Sequence, residues 1–335
     1  KPQILHTPPR GGGGGANPAR PAPLKKRIRR SGAPKPPAPA RRLWDRSNER
    51  VLDLLRSIGF LGPSVLGVTV FFIAPFLVVV WYSVIRSPIN PEFVGLDNFI
   101  SVLQNYSFQT AAKNTAIFSI LAVPLAVVLS LGLALILECR IPCKSWFRTF
   151  FLSPMMVPVA SVVLIWQVVF HRNGTLNAML APFGWQPVDW LNAPGWCMMV
   201  IIILFLWKNL GYNMILFMAA LNNIPKELLE VADVEGASAA HKFFNIKLRY
   251  LSPTVLFVTI LSIINSFKVF REIYLLTGNY PYEGLYMLQH FMNNTFAQPD
   301  YQKMSSAAVL LAIVMVALIA LLFKVEDIFG KDVEG

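Results

Sequence analysis

The chain has 335 residues, of which 55% are hydrophobic and only 14% are charged. An ordinary globular domain carries about 25% charged residues, and a soluble core cannot absorb so much apolar surface without exposing large patches. The composition therefore excludes an ordinary soluble domain. It predicts a membrane protein, because each bilayer-spanning helix requires about 20 apolar residues.

The net charge of +12 is concentrated near the N-terminus. Residues 1–56 hold 14 Lys/Arg against three acids, whereas the rest of the chain holds 16 against 15. Residues 1–40 are also rich in Pro and Gly, and such a segment cannot bury enough apolar surface to offset its ordering entropy. We expect a disordered, basic cytoplasmic tail near anionic lipid, rather than a nucleic-acid-binding arm.

The rest of the chain reads as membrane helices. In residues 41–60, apolar residues such as Leu43, Val51 and Leu55 recur at helical spacing among charges, which predicts an amphipathic helix on the membrane surface. Residues 61–330 then predict a transmembrane domain, so the expected fold is an all-α integral membrane protein with about six transmembrane helices. The six apolar stretches are 62–86, 114–138, 150–170, 197–221, 254–277 and 305–325.

Basic residues in the loops predict the orientation. Loops 139–149 and 222–253, together with the C-terminal tail, contain nine Lys/Arg, whereas the loops of the opposite side contain four. The positive-inside rule therefore places both termini in the cytoplasm. The three cysteines show no zinc-type spacing with histidine, and we expect no metal site.

Loop 222–253 carries the most informative pattern. Pro225 suits the start of a helix, and residues 226–235 predict a short helix with an acidic face. Gly236 can take a left-handed conformation and end that helix, and a second helical stretch is predicted over 237–248. Anionic lipid would repel the acidic face, so a protein partner is favoured over a membrane-surface helix without one.

This loop resembles the EAA signature of permease subunits in binding-protein-dependent ABC importers, in the carbohydrate-uptake branch. The residues that carry the match are Glu230, Ala232, Gly236, Ala237 and Phe243, followed by Ile246 and Leu248. Val231, Glu235 and Arg249 depart from the usual Ala, Asp and Pro. Segments 95–115, 173–180, 189–191 and 266–278 are also similar to this family, so the resemblance covers most of residues 60–330.

The resemblance implies a function and a set of partners. In that family the loop is a coupling helix that docks into a cytoplasmic ATPase. The resemblance therefore implies that six residues couple ATP binding to transport, namely Glu230, Ala232, Glu235, Gly236, Ala237 and Phe243. The implied partners are a second, non-identical permease subunit, two ATPase subunits, an extracytoplasmic substrate-binding protein that segment 278–304 helps to receive, and a sugar or oligosaccharide. The implied location is the inner membrane of a bacterial or archaeal cell.

The chain has no phosphate loop of the form G-x-x-x-x-G-K-[ST]. We therefore expect a protein that is not an enzyme and holds no cofactor of its own, with ATP and Mg²⁺ bound by the partner ATPase.

Polar residues inside the spans mark a candidate substrate path. By the resemblance, Asn209, Tyr212, Phe267, Lys268 and Arg271 match positions that line the sugar cavity, and Lys208 is a further cation in the fourth span. The alternative is that these side chains hold spans together. Glu272 can pair with Lys268 at i,i+4. Three cations near one acid favour the narrower hypothesis of an acidic substrate, such as a uronic-acid oligosaccharide or a phosphorylated polyol.

Two other classes of function compete with an ABC permease. An ion-coupled secondary transporter requires a membrane-embedded carboxylate to carry the coupling ion, and only Glu272 lies near such a position. A membrane enzyme or scaffold is the third class, and no catalytic group of His, Asp and Ser occurs within a predicted span.

Overall fold

The computed structural model describes residues 43–139 and 142–330, so the predicted tail 1–40 lies outside the described residues. Across these ranges the backbone is mainly helical, with one isolated β-bridge between Ile85 and Phe93. The α-helices are α1 (Leu43–Val68), α2 (Ala74–Ser83), α3 (Asp97–Gln104), α4 (Tyr106–Glu138), α5 (Lys144–Met156), α6 (Val159–Phe170), α7 (Thr175–Leu180), α8 (Trp196–Asn222), α9 (Lys226–Val234), α10 (Ala239–Lys242), α11 (Leu248–Phe267), α12 (Phe270–Thr277), α13 (Leu288–Ala297) and α14 (Tyr301–Gly330).

Short irregular turns connect several of these helices. A π-helical turn at Thr69–Ile73 joins α1 to α2, and a second at Phe243–Lys247 joins α10 to α11. The chain divides into two units between Val65 and Leu66. In the first unit, α1 begins at Leu43, within the predicted amphipathic segment, but the placement of that segment on a membrane surface stays a prediction.

Five helical stretches of the described chain are long and apolar enough to cross a membrane. They are Arg56–Ser83, Tyr106–Glu138, Trp196–Asn222, Ala239–Thr277 and Tyr301–Asp327. A sixth is the pair Lys144–Met156 and Val159–Phe183, which bends by 99° at its break. These stretches confirm the predicted all-α fold with about six spans.

The bend in the third span follows from one proline. Pro158 has no N–H to donate and disfavours helical geometry at the preceding residue. Val157 accordingly adopts an extended conformation, α5 ends at Met156, and α6 begins after Pro158. The span predicted over 150–170 is therefore two helical segments rather than one straight helix.

Helix α8 lies at the centre of the second unit, where it packs against α4, α5 and α11. Two apolar clusters surround it, one around Phe118, Ile201 and Ile273, the other around Phe217 and Leu251. Between them α8 meets α5 at Gly211, where an added Cβ would overlap the carbonyl oxygen of Phe151. The fold therefore requires a side chain no larger than hydrogen at this crossing.

Helix α14 forms the other side of the unit and packs against α2, α3, α11 and α13. A third apolar cluster lies at one end of this group, around Val102, Phe108 and Phe291. Large apolar side chains remain exposed on α2, α5 and α14, including Phe76, Trp146 and Val316. Such faces are typical of contact with lipid or with another membrane subunit.

Candidate functional site

The two helices predicted in loop 222–253 are present and are joined at Gly236. We call this arrangement, from α9 through Gly236 to α10, the elbow. Helix α9 ends one residue before its predicted limit, and Pro225 occupies the position before the helix rather than its first turn. Gly236 has a φ of +76°, which favours glycine. The N–H of Ala237 donates to the carbonyl of Ala232 (2.9 Å), and that of Gly236 donates to Asp233 (3.1 Å). This Schellman arrangement satisfies the last carbonyls of α9 and fixes the direction in which the chain leaves.

The second half of the elbow continues into the fifth span without a break. The side chain of Ser238 accepts a hydrogen bond from the N–H of His241 (3.2 Å) and so starts α10 at Ala239. Helix α10, the π-helical turn and α11 then follow one another directly up to Phe267. The stretch predicted to end near residue 248 is therefore the lower part of one long helix, and the elbow is attached to the membrane through helical backbone.

Two ion pairs brace the elbow. Lys242 pairs with Asp233 across the Gly236 turn. The Nζ of Lys247 lies 2.8 and 2.7 Å from the two carboxylate oxygens of Glu138, the last residue of α4. The partners of the second pair are 109 residues apart, so no local spacing in the sequence could have indicated it. Through these contacts α9 is connected to both the second and the fifth spans.

The six predicted coupling residues divide into exposed and packed positions. Glu230, Glu235 and Gly236 are exposed, whereas Ala232 is buried and Ala237 and Phe243 are half-buried. The exposed side of α9 also carries two apolar residues that sequence reasoning did not select, Val231 and Val234. Val234 is 89% exposed, so α9 presents an apolar tip flanked by carboxylates.

The polar residues of the fourth and fifth spans meet inside the bundle, but with a different pairing from the predicted one. Glu272 pairs with Lys208 of α8 and not with Lys268. The expected i,i+4 pair requires a continuous helix, whereas α11 ends at Phe267 and α12 begins at Phe270. This break turns Glu272 inward, where its side chain is 8% exposed.

A second polar contact joins the same two spans. The Nδ2 of Asn265 donates to the Oδ1 of Asn209 (3.0 Å), whose own amide donates to the carbonyl of Phe205 (2.8 Å). Asn209 therefore acts as an interhelical contact, the alternative that the sequence left open. Its role in a substrate path stays a prediction.

The other predicted path residues lie on more open surfaces. Tyr212 is half-buried one turn after Lys208 on α8, and Phe267 is half-buried at the end of α11. Lys268 is exposed at the break between α11 and α12, and Arg271 is exposed in the first turn of α12. The structure thus separates the set into an interior pair, Lys208 with Glu272, and a surface that carries two cations.

Further contacts between spans involve residues that sequence reasoning missed. The Nδ2 of Asn213 donates to the Oγ of Ser262 (3.1 Å), and the Oγ atoms of Ser119 and Ser266 are 2.9 Å apart. Asn213 lies four residues after Asn209, so the helical spacing of the two amides was a usable signal. Ser119 offered no such signal, because serine is common in apolar helices.

The segment after the fifth span, 278–304, is tied to the start of α4. The Nδ2 of Asn114 donates to the carbonyls of Glu283 (2.6 Å) and Tyr286 (3.0 Å), and the Oγ1 of Thr115 accepts from the N–H of Leu288. His290 is fully buried there, its Nδ1 accepts from the N–H of Met287, and its Nε2 has no partner among the described residues. Burial lowers the pKa of His290 from 6.5 to about 4. Across the described residues, no group of His, Cys, Asp or Glu is arranged to hold a metal ion.

The sequence has relatives among transport proteins. The trehalose/maltose transport system permease protein MalF of Thermococcus litoralis is 32% identical over 275 residues, which cover 81% of this chain and 92% of that protein. The arabinooligosaccharides transport system permease protein AraP of Bacillus subtilis is 33% identical over 227 residues, 66% of this chain and 71% of that protein.

Solved structures and a protein family agree with these relatives. A chain from a bacterial ABC transporter involved in the import of the acidic polysaccharide alginate superimposes with a TM-score of 0.71 over 85% of this chain and 98% of that chain. At 22% identity this likeness shows the fold alone. The family described as "Binding-protein-dependent transport system inner membrane component" matches residues 126–334. The chain therefore belongs to the family of inner membrane components of binding-protein-dependent transport systems.

Proposed function

We propose that this chain is the permease subunit of an ATP-driven importer that moves a sugar or oligosaccharide across the membrane by alternating access. Family membership supports the permease role. Two relatives are named for carbohydrates, arabinooligosaccharides in one case and trehalose and maltose in the other. A neighbour in fold comes from an alginate importer. These names support a carbohydrate substrate without choosing among sugars.

The coupling part of the proposal rests on one observation, the elbow at α9 and the two ion pairs that stabilise it. Its exposed side presents Val234 between Glu230 and Glu235, and its base continues as helix into the fifth span. The pair between Lys247 and Glu138 joins the same base to the second span. A partner that grips α9 and moves would therefore displace two spans together, because helical backbone and ion pairs transmit the movement.

The partner that grips α9 is, in this proposal, a separate ATPase subunit that binds ATP and Mg²⁺. Glu230 and Glu235 contact it directly. Gly236 and Ala237 hold the turn, while Ala232 and Phe243 pack the elbow against the bundle. This assignment places loop 222–253 and both termini in the cytoplasm, in agreement with the charge of the loops. The acidic rim of α9 favours a docking cleft that carries basic side chains.

A second membrane subunit is also part of the proposal. Lys268 and Arg271 are exposed on the surface of this chain within the fifth span, and charged side chains in spans face a bundle interior or water rather than lipid. A second, non-identical permease subunit would cover them and enclose a path between the two chains. Two ATPase subunits and an extracytoplasmic binding protein at segment 278–304 would complete the assembly.

The ion-coupled alternative lacks a suitable group. Within residues 43–139 and 142–330, Glu272 is the one acid that falls well inside a candidate span, and it pairs with Lys208. A carboxylate that carries a coupling proton must be free to take it up and release it. Glu272 is held in an ion pair inside the bundle and is therefore not available for that role.

The experiment compares two almost fully exposed apolar residues at opposite loops. Val234 on α9 is 89% exposed and Ile89, in the loop before α3, is 95% exposed, so neither change disturbs the core. We expect Val234→Asp to release the ATPase subunits that co-purify with the chain and to lower ATP-driven uptake about tenfold or more, the scale of a lost interface anchor. Ile89→Asp should leave both unchanged.

Uptake by the same complex in proteoliposomes should survive a protonophore and stop when ATP is withheld. Normal uptake and normal ATPase retention in Val234→Asp would exclude α9 as the docking element. Uptake driven by an ion gradient without ATP would exclude the importer.

A further inference from the structure

We infer that the path along this chain selects for an anionic carbohydrate, whose carboxylate or phosphate is bound by Lys268 and Arg271. The inference rests on the proposed function and names the substrate class. It depends on three features of the structure: the depth of the two cations, their lack of a counter-ion among the described residues, and the pairing of the nearby acid Glu272 with Lys208.

Side-chain contacts between the two spans fix the depth of the cations. In α8, Lys208 lies twelve residues after Trp196 and fourteen before Asn222, which places it near the middle of that span. Its ion pair holds Glu272 at this level, and the bond from Asn209 to Asn265 holds Asn265 there too. Lys268 and Arg271 lie between Asn265 and Glu272 along the chain. They are therefore near mid-membrane.

Neither cation has a partner within the described residues. Lys303 and Lys247 each pair with a carboxylate, whereas no carboxylate in residues 43–139 or 142–330 pairs with Lys268 or Arg271. At mid-membrane depth a charge without a counter-ion is costly, so such residues mark ion or substrate pathways. An anion that passes between the subunits would meet two positive charges without losing any existing ion pair.

The position of Glu272 leaves two positive charges on the surface that carries Lys268 and Arg271. If Glu272 paired with Lys268, as the sequence spacing suggested, the surface would carry one net positive charge. Because Lys208 holds Glu272 in the interior, the surface keeps both charges. Phe267 directly precedes Lys268 and is half-exposed, so an aromatic ring adjoins the cations and can contact a sugar ring. Cations beside an aromatic face suit an acidic sugar better than a purely apolar solute.

The test measures ATP-driven uptake by the complex that co-purifies with this chain, together with its binding protein, in proteoliposomes. The probes are trigalacturonate and sn-glycerol 3-phosphate, with maltotriose and glycerol as neutral counterparts. The carboxylate and phosphate probes distinguish the two sources of negative charge. The test variant is Lys268→Gln with Arg271→Gln. Arg86→Gln serves as the control, because it removes an exposed cation that lies outside the fourth and fifth spans and outside segment 278–304.

We expect the wild-type complex to take up one of the anionic probes, and the double variant to take it up about tenfold more slowly or worse, the scale of a lost charge-assisted hydrogen bond. Lys268→Arg with Arg271→Lys should restore most of the rate, which separates charge from a folding defect. Uptake of neutral probes alone would overturn the anionic inference and leave the importer standing. Unchanged anionic uptake in the double variant would also overturn it. Absence of ATP-driven uptake for every probe would overturn both proposals.

Discussion

Lys208 of α8 and Glu272 of α12 form an ion pair inside the helical bundle, although they are 64 residues apart in the chain. The carboxylate is almost fully enclosed, and the lysine keeps about a quarter of its surface exposed. Removing two charges from water is costly, and each charge in such a site depends on the other. The pair therefore ties the fourth span to the segment after the helix break.

The first prediction concerns this pair. Glu272→Gln should destabilise the detergent-solubilised chain by about 3 kcal/mol, because it leaves Lys208 without a counter-ion in the bundle. Lys208→Met combined with Glu272→Met should recover most of that loss, since neither charge then remains. Thermal unfolding followed by the loss of monodisperse protein measures both. The control is Asp300→Asn, which breaks a more exposed pair with Lys303 and should cost less than about 1 kcal/mol. Equal effects of Glu272→Gln and Asp300→Asn would contradict the structural role of the interior pair.

The second prediction concerns the crossing of α8 and α5. Gly211→Ala places a methyl group against the backbone carbonyl of Phe151, which cannot rotate away. Overpacking of this kind costs about 1–3 kcal/mol, so the variant should unfold at a lower temperature. Gly132→Ala in α4 is the matched control, because nothing lies within 4 Å of its added Cβ, and alanine is favoured over glycine in a helix by up to about 1 kcal/mol. A Gly211→Ala variant as stable as Gly132→Ala would show that the two helices are further apart.

The third prediction concerns the ion pair between Lys247 and Glu138 at the base of the elbow. Glu138→Lys should separate ATP hydrolysis from uptake in the assembled complex, because it removes the contact that joins the elbow to the second span. The variant should transport fewer solute molecules per ATP hydrolysed, while the chain itself stays folded. Exchange of both residues, Glu138→Lys with Lys247→Glu, should restore coupling. The same exchange at the exposed pair Arg86 and Glu92, 2.8 Å apart, should have no effect. Normal coupling in the single variant Glu138→Lys would show that this ion pair has no part in the mechanism.

The fourth prediction is a pH dependence from His290. In the folded chain the pKa of this imidazole is about 4, because burial disfavours its charged form. In the unfolded chain it is near 6.5. Between these values the unfolded state binds a proton that the folded state does not, so stability falls as the pH falls from about 6.5 to 4. The difference of about 2.5 pKa units corresponds to about 3 kcal/mol, at roughly 1.4 kcal/mol per unit.

Thermal unfolding midpoints between pH 7 and pH 4 test this prediction. His290→Gln should have a flatter profile than the wild type, whatever its stability at pH 7. His171→Gln changes an exposed histidine and should keep the wild-type slope. Parallel profiles for the wild type and His290→Gln would show that His290 is not buried in a neutral form.

The local features of the fold were open to prediction from the sequence. The candidate spans follow from runs of apolar residues long enough for a bilayer, and a run of this kind has few alternatives to a membrane helix. The turn at Gly236 was predictable for a similar reason, because a glycine between two helical patterns adopts the positive φ that ends a helix. The coupling loop was also recognisable, since its residues form a compact motif within one loop.

The charged contacts inside and below the bundle were not open to prediction in this way. Spacing favoured Lys268 as the partner of Glu272, because i,i+4 residues meet on an unbroken helix. The break after Phe267 redirects Glu272 to Lys208 instead.

By itself, then, the sequence determined that the chain is a bundle of membrane helices with a patterned loop between two of them. Helical periodicity and hydrophobicity are properties of neighbouring residues, and they can be read along the chain. Only the tertiary structure decided which charges neutralise one another, which glycine permits a helix crossing, and which cations stay exposed beside the break in the fifth span. Those outcomes depend on the distance between helices that are far apart in sequence, which the packing of the whole unit sets.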